Sequence, residues 1–195
     1  MVRFVAVLIM PDLKGVKVGN TWGDWLNVNE ETPIEYIDLC YHFASARMMA
    51  EMAVALGKSP ETIVFTDRCL KLANNFATQF LRPDGSPTVE TQSAAVLAIS
   101  SGIFDEAKVL RAKPLTFPSV AQALVERIAK NDFRMATGFL GTKPLLGVLT
   151  ANGQHDLACR LFQSRKFPSW GYEVEQGATS VCTKIPQKSN SPLTR

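Results

Sequence analysis

Trp170, Tyr172, Glu173 and Glu175 fall within one stretch, Phe167 to Val181, which reads F-P-S-W-G-Y-E-V-E-Q-G-A-T-S-V. Side chains of these types suit carbohydrate chemistry. Indole and phenol rings offer flat apolar faces with a polar edge, which stack on a sugar ring, and carboxylates accept hydrogen bonds from hydroxyls. The stretch has neither a helical nor a strand period. Pro168 cannot continue a helix, and Gly171 and Gly177 permit backbone angles that other residues avoid. An irregular loop is expected, of the kind that carries function on a rigid scaffold. The same composition also suits a loop that plugs its Trp and Tyr into a core. Asp24, between Trp22 and Trp25, reads two ways as well: a turn aspartate with two packed tryptophans, or a carboxylate with an aromatic platform at a sugar site.

P-S-W-G-Y followed by G-A-T-S resembles the C-terminal part of the catalytic domain of bacterial α-L-rhamnosidases. There, P-S-W-G-Y is typically followed by G-A-T-T, an apolar residue, a Trp and a Glu. Three more stretches fit that family in the same order: Gly23-Asp24-Trp25-Leu26, Glu90-Thr91-Gln92 and Thr137-Gly138-Phe139-Leu140-Gly141-Thr142. The resemblance covers about residues 21 to 181. It implies an all-α fold, a partial (α/α)6 six-hairpin barrel of which this chain supplies the C-terminal half. It divides the chain into a non-matching segment 1–20, a rhamnosidase-like domain 21–182 and a divergent polar tail 183–195. It implies a glycoside hydrolase that removes terminal α-L-rhamnosyl residues by inversion, with Asp24, Trp25, Glu90, Phe139, Trp170 and Tyr172 lining the sugar pocket. For Glu90 a helix-start acid that complements the dipole is an equal reading, and for Phe139 a packed core aromatic is another.

Inversion needs two carboxyl groups roughly 6.5–9.5 Å apart, one to protonate the leaving oxygen and one to activate a water. In the family the general acid lies in an acidic stretch upstream of the G-D-W-L match, and Met1 to Asn20 holds no such stretch. The family's general base is the Glu after G-A-T-T. Counting from Gly177, Cys182 stands at the Trp position and Thr183 at the Glu position. A threonine cannot serve as a carboxylate base. The expectation is therefore a truncated rhamnosidase-type domain that has no catalytic residue of its own and is inactive alone. The alternative is a non-catalytic helical module that binds carbohydrate or protein. Expected partners are a rhamnose-containing glycoside, and a second copy or a complementary barrel fragment to cover open flanks.

Six helices are expected to position these residues. Thr32-Pro33-Ile34-Glu35 combines an N-cap, a proline at the first position and a capping box, and Ile34, Ile37, Tyr41, Ala44, Met48 and Met52 follow at helical spacing. Ser59-Pro60-Glu61 opens a second helix with the stripe Phe65, Cys69, Leu72, Phe76 and Phe80, ended by Pro83-Asp84-Gly85. A third covers about Glu90 to Ser100 and is apolar without a break from Ala94 to Ile99, so it must be buried all round. A fourth (118–130) is one-sided. A fifth (143–151), capped by Thr142, is again apolar nearly throughout. A sixth (155–164) is one-sided. Alternation between fully apolar and one-sided helices is what two concentric layers require.

Composition narrows the partners. Hydrophobic residues at 46% and charged residues at 20% of 195 describe an ordinary globular chain of one domain. The net charge of +3 is carried by Lys184, Lys188 and Arg195 in an acid-free tail. The neutral body argues against nucleic acid or an anionic membrane as partner. Cys40, Cys69, Cys159 and Cys182 form no C-x-x-C and only two histidines occur, so no metal or cofactor site is expected. This cysteine usage suits a reducing, cytoplasmic setting. The run Phe4 to Met10 is too short to span a bilayer. It lacks a small-residue cleavage site and reads as a short buried segment, though as a marginal signal-like run it leaves secretion open.

Overall fold

How many sides each helix must hide decides its layer. The computed structural model describes residues 22–109 and 119–179. Regular structure among them is helical: α1 (Ile34–Ala55), α2 (Ser59–Phe80), α3 (Gln92–Ser101), α4 (Ile103–Val109), α5 (Val120–Lys130), α6 (Phe139–Ala151), α7 (His155–Phe162) and α8 (Trp170–Glu175). The only extended pairing among them is a single bridge between Leu81 and Pro87. Helix α3 is the hub. It packs on α1, α4, α5 and α6, and every residue from Gln92 to Ala98 is buried. Helices α1, α3 and α6 form a consecutive inner row. Against them pack α2, α4 and α5, and α7; α2, α4 and α7 each follow their inner helix after a short connection. The outer helices α5 and α7 bury one stripe each, Val120, Leu124 and Ile128 in the first and Ala158 and Leu161 in the second. Each fully buried Leu of this core stabilises the fold by about 1.5–3 kcal/mol relative to its exposed state.

An aromatic cluster joins the first three helices. Tyr36 meets Phe76 and Phe80 at 5.1 and 5.0 Å between ring centroids, and its hydroxyl donates to the Ala94 carbonyl at 3.1 Å. The segments leading into α1, α3 and α6 are bonded to one another. Val28 N–H donates to the Ala136 carbonyl at 3.0 Å. The Thr32 and Thr91 hydroxyls pair at 2.6 Å. The fully buried Gln92 side chain donates to the Arg134 carbonyl and accepts from Ala136 N–H, both at 3.0 Å. One end of the inner row is thereby stitched into a single surface.

Several local expectations change. Thr32 does not cap α1: Pro33 is its N-cap, with no side-chain bond, because the Thr32 hydroxyl is engaged by Thr91. The stripe through Tyr41, Met48 and Met52 is exposed, while Tyr36, Leu39, Cys40, Phe43 and Ala46 form the core side. Apolar residues surround α1, so two stripes share the helical period, and α2 and α3 pack on the second. Helix α3 begins at Gln92 with Thr91 as N-cap, so Glu90 precedes the helix rather than opening it. Helix α4 follows a left-handed Gly102 (φ 81°) and buries Ile103, Phe104 and Ala107; at about two turns it is too short to leave a periodic signal. Helix α6 starts at Phe139 with Pro144 inside it, so Thr142 is not its cap. It is also less enclosed than α3, with Lys143, Gly147 and Thr150 exposed. The stretch after Pro168 is not irregular throughout: the Ser169 hydroxyl accepts from Tyr172 N–H at 3.1 Å and caps the short helix α8.

Candidate functional site

Aspartate with small partners can sit where helix ends converge, because each carboxylate oxygen accepts two bonds. Asp24 does so. It is 2% exposed. Its Oδ1 accepts from Leu140 and Gly141 N–H at 2.8 and 3.1 Å. Its Oδ2 accepts from Gly138 N–H at 2.7 Å and from the Ser93 hydroxyl. The carboxylate thus caps α6 from a different part of the chain, a charge-assisted arrangement at the positive end of a helix. Close main-chain contact backs it up. Phe139 N–H donates to the Trp25 carbonyl at 3.0 Å, and a Cβ on Gly138 would collide with the carbonyls of Asp24 and Trp25. The G-D-W-L and T-G-F-L-G-T stretches are therefore two halves of one joint.

That joint presents rings. Trp25 and Phe139 lie 5.5 Å apart between centroids, tilted by 43°, and are 44% and 42% exposed. Trp22 continues the row at 5.7 Å from Trp25. Beside the row, Leu26, Val28, Met135, Thr137 and Thr142 face Phe167, Pro168, Trp170, Tyr172 and Glu173 across a cleft. Neither Trp25 nor Phe139 lines the cleft itself, but three of its lining residues are their near neighbours in the chain: Leu26 follows Trp25, and Thr137 and Thr142 lie within three residues of Phe139. The Thr137 and Thr142 hydroxyls are paired at 2.7 Å. Trp170 also leans on Phe162 at 5.9 Å, and Tyr172 is edge-on to Phe167 at 5.5 Å. Gly171 is required here, since a Cβ would meet the Ser164 carbonyl oxygen at 2.5 Å. Partial burial, and after it the Asp24 charge, raises the phenol of Tyr41, whose side chain stays partly exposed, above its ordinary pKa.

The six residues singled out from sequence fall into three places. Asp24, Trp25 and Phe139 form the joint and its ring pair. Trp170 and Tyr172 line the adjoining cleft. Glu90 is in neither; its carboxylate bridges Arg82 at 3.1 Å and Arg127 at 3.5 Å, tying the turn after α2 to α5. Glu175 pairs with Arg165 at 2.7 Å. Sequence reasoning missed Ser93 and Gln92 as partners of the joint, and Glu30, whose carboxylate accepts from Gln92 N–H at 2.6 Å; residues 62 or 69 positions apart give no local signal. Thr183, Cys182 and the run Phe4 to Met10 lie outside the described residues. No group of three or more His, Cys, Asp and Glu side chains among the described residues could hold a metal. No described helix is long and apolar enough to cross a membrane.

Residues 9–187 match the family described as the bacterial alpha-L-rhamnosidase 6 hairpin glycosidase domain. An α-L-rhamnosidase of Streptomyces avermitilis is 41% identical over 160 residues, which is 82% of this chain and 15% of that protein. An α-L-rhamnosidase of Formosa agariphila is 31% identical over 170 residues, 83% of this chain and 18% of that protein. The crystal structure of the Streptomyces avermitilis α-L-rhamnosidase complexed with L-rhamnose aligns with a TM-score of 0.69 at 36% identity, covering 90% of this chain and 16% of that one. That of native α-L-rhamnosidase from Aspergillus terreus aligns with a TM-score of 0.69 at 25% identity, covering 81% of this chain and 18% of that one. The chain thus spans less than a fifth of the length of these relatives, and its paired helices share the α/α toroid fold of the family.

Proposed function

The chain belongs to the bacterial α-L-rhamnosidase six-hairpin glycosidase family, and from that membership we propose that it binds the terminal L-rhamnosyl group of a glycoside at the stitched end of its inner helices. The observation that carries this reading is the half-exposed Trp25–Phe139 pair beside a cleft with polar and aromatic walls. A sugar ring stacks its C–H face on such a pair, while hydroxyls reach acceptors at the cleft: the Thr137–Thr142 pair, Tyr172 and Glu173. Residues 21–182 supply the rhamnosidase-type part in this reading. Glu90 acts by bracing the connection before α3.

Hydrolysis is a separate matter from binding. Inversion needs one carboxyl on each side of the scissile bond. The carboxylate of Asp24 is consumed by the α6 cap, and Glu175 is paired with Arg165. With Thr183 at the family's base position, the 195-residue chain by itself binds without turnover. General acid–base steps are worth about 10²–10⁴-fold each, so the loss of one is readily seen.

Titration of the full chain with L-rhamnose, followed by tryptophan fluorescence and by calorimetry, tests the binding reading. Saturable binding that Trp25→Ala abolishes supports it, and absence of binding sinks it. Incubation with an aryl α-L-rhamnoside tests the second part. Turnover close to that of an ordinary hydrolase would overturn it and make Glu173 the first carboxylate to replace.

A further inference from the structure

Asp24 has an ionisable side chain in a place where a ligand cannot use it. Its oxygens accept from three main-chain N–H groups and one hydroxyl, which matches the roughly four lone-pair sites of a carboxylate. No lone pair is left for a sugar hydroxyl. What the carboxylate does hold is the first turn of α6, and the first residue of that turn is Phe139. Its own chain neighbour is Trp25. The main chains of both ring-bearing residues are joined by the Phe139 N–H to Trp25 carbonyl bond.

We propose that Asp24 is a positioning residue: its carboxylate, acting through the N-terminus of α6, sets the Trp25–Phe139 ring pair and does not itself touch the sugar. The chemistry requires a carboxylate and not merely a polar group of the same shape. An asparagine has a single acceptor oxygen, and its NH2 group would face either Gly138 N–H or the Leu140 and Gly141 N–H groups, donor against donor. It also lacks the negative charge that the helix end favours. The ring pair would then lose its reference point while the helices behind it, held by Leu145 and Leu149, remain.

The sugar-affinity part of this proposal rests on the reading of the site as an L-rhamnosyl pocket; the ring-pair part does not. The experiment separates them. The full chain, labelled with nitrogen-15, shows one indole N–H resonance for each of its three tryptophans, and Trp25→Phe identifies that of Trp25. In Asp24→Asn the Trp25 resonance should move, because the Phe139 ring no longer shields it, while the Trp170 resonance and the far-ultraviolet helix signal stay in place. L-rhamnose affinity should fall about tenfold or more, the equivalent of at least 1.4 kcal/mol. Ser93→Ala, which leaves the three amide donors, should shift the same resonance less and weaken L-rhamnose about two- to fivefold, within what a single hydrogen bond contributes. An unmoved Trp25 resonance in Asp24→Asn overturns the proposal, and so does lost affinity with an unmoved resonance, which would make Asp24 a direct sugar ligand. If Asp24→Asn fails to fold, Ser93→Ala decides: an unchanged resonance and affinity overturn it. If the wild-type chain binds no L-rhamnose, the pocket reading fails, and the resonance shift alone still confirms or overturns the positioning role.

Discussion

His42 is a buried group whose charge state the fold controls directly. It lies on α1 with 8% exposure, and its Nε2 has no hydrogen-bond partner among the described residues. Burial first, and the neighbouring Arg68 charge second, hold the imidazole below its ordinary pKa of 6.5. The native chain therefore refuses a proton that the unfolded chain accepts. Stability is complete above the unfolded pKa and falls as the pH drops from about 6.5 towards the lowered native value. The midpoint of urea unfolding should decline between about pH 7 and about pH 5, and His42→Leu should decline less over the same window. Equal pH dependence in both proteins would show that other groups govern the acid limit. Asp24 illustrates the opposite arrangement at the same scale, a buried charge with every acceptor site filled.

Helix α6 shows how an element can depend on a residue far away in the chain. Its N-cap, Gly138, makes no side-chain bond, and Asp24 supplies the missing acceptor across 114 positions. Two glycines within reach of this helix make a matched test. Gly138→Ala would drive a methyl into the carbonyls of Asp24 and Trp25, and overpacking of this kind costs about 1–3 kcal/mol. Gly147, inside α6, has nothing within 4 Å of its Cβ position, so Gly147→Ala should stabilise by about 0.5–1 kcal/mol through helix propensity. Denaturant unfolding of the two variants should move the midpoint in opposite directions. Two shifts of the same sign would mean that the joint at Gly138 yields more than its geometry suggests. This helix also explains a misreading. Thr142 reads as the cap of a helix over 143–151, yet the start lies at Phe139 because the acceptor that satisfies its first N–H groups comes from elsewhere.

At the scale of the molecule, the apolar surface of α1 is the feature with consequences for behaviour in solution. Tyr41, Met48 and Met52 lie exposed along one stripe of it. Contiguous apolar surface beyond a few hundred Å² is unusual on a monomer, and each Å² removed from water stabilises association by about 25 cal/mol. Sedimentation at micromolar concentration should show the chain as a dimer or larger, and Met48→Glu with Met52→Lys should shift it towards monomer. A wild-type chain that sediments as a stable monomer would show that this face is tolerated in water.

The sequence alone determined the all-helical class, the alternation of inner and outer helices, and the family, because these rest on local periods and on motifs read along the chain. It also singled out Trp25, Phe139, Trp170 and Tyr172, because they stand in or beside inter-helix segments; the fold places the first two in the ring pair and the other two in the cleft lining. Tertiary structure alone decided what each of them packs against or bonds to. A helical period on α1 fits two stripes, and only the packing of α2 and α3 selects the one through Tyr36 and Phe43. A carboxylate between two tryptophans fits a sugar contact as well as a cap, and only the meeting of Asp24 with Ser93 and the first turn of α6 distinguishes them. Glu90 reads equally as a pocket acid or a helix-start acid, and only the fold shows its ion pairs with Arg82 and Arg127. Apart from Arg82, eight positions from Glu90, the deciding partners are dozens of residues away, where hydrogen bonding and close packing act and sequence spacing carries no trace of them.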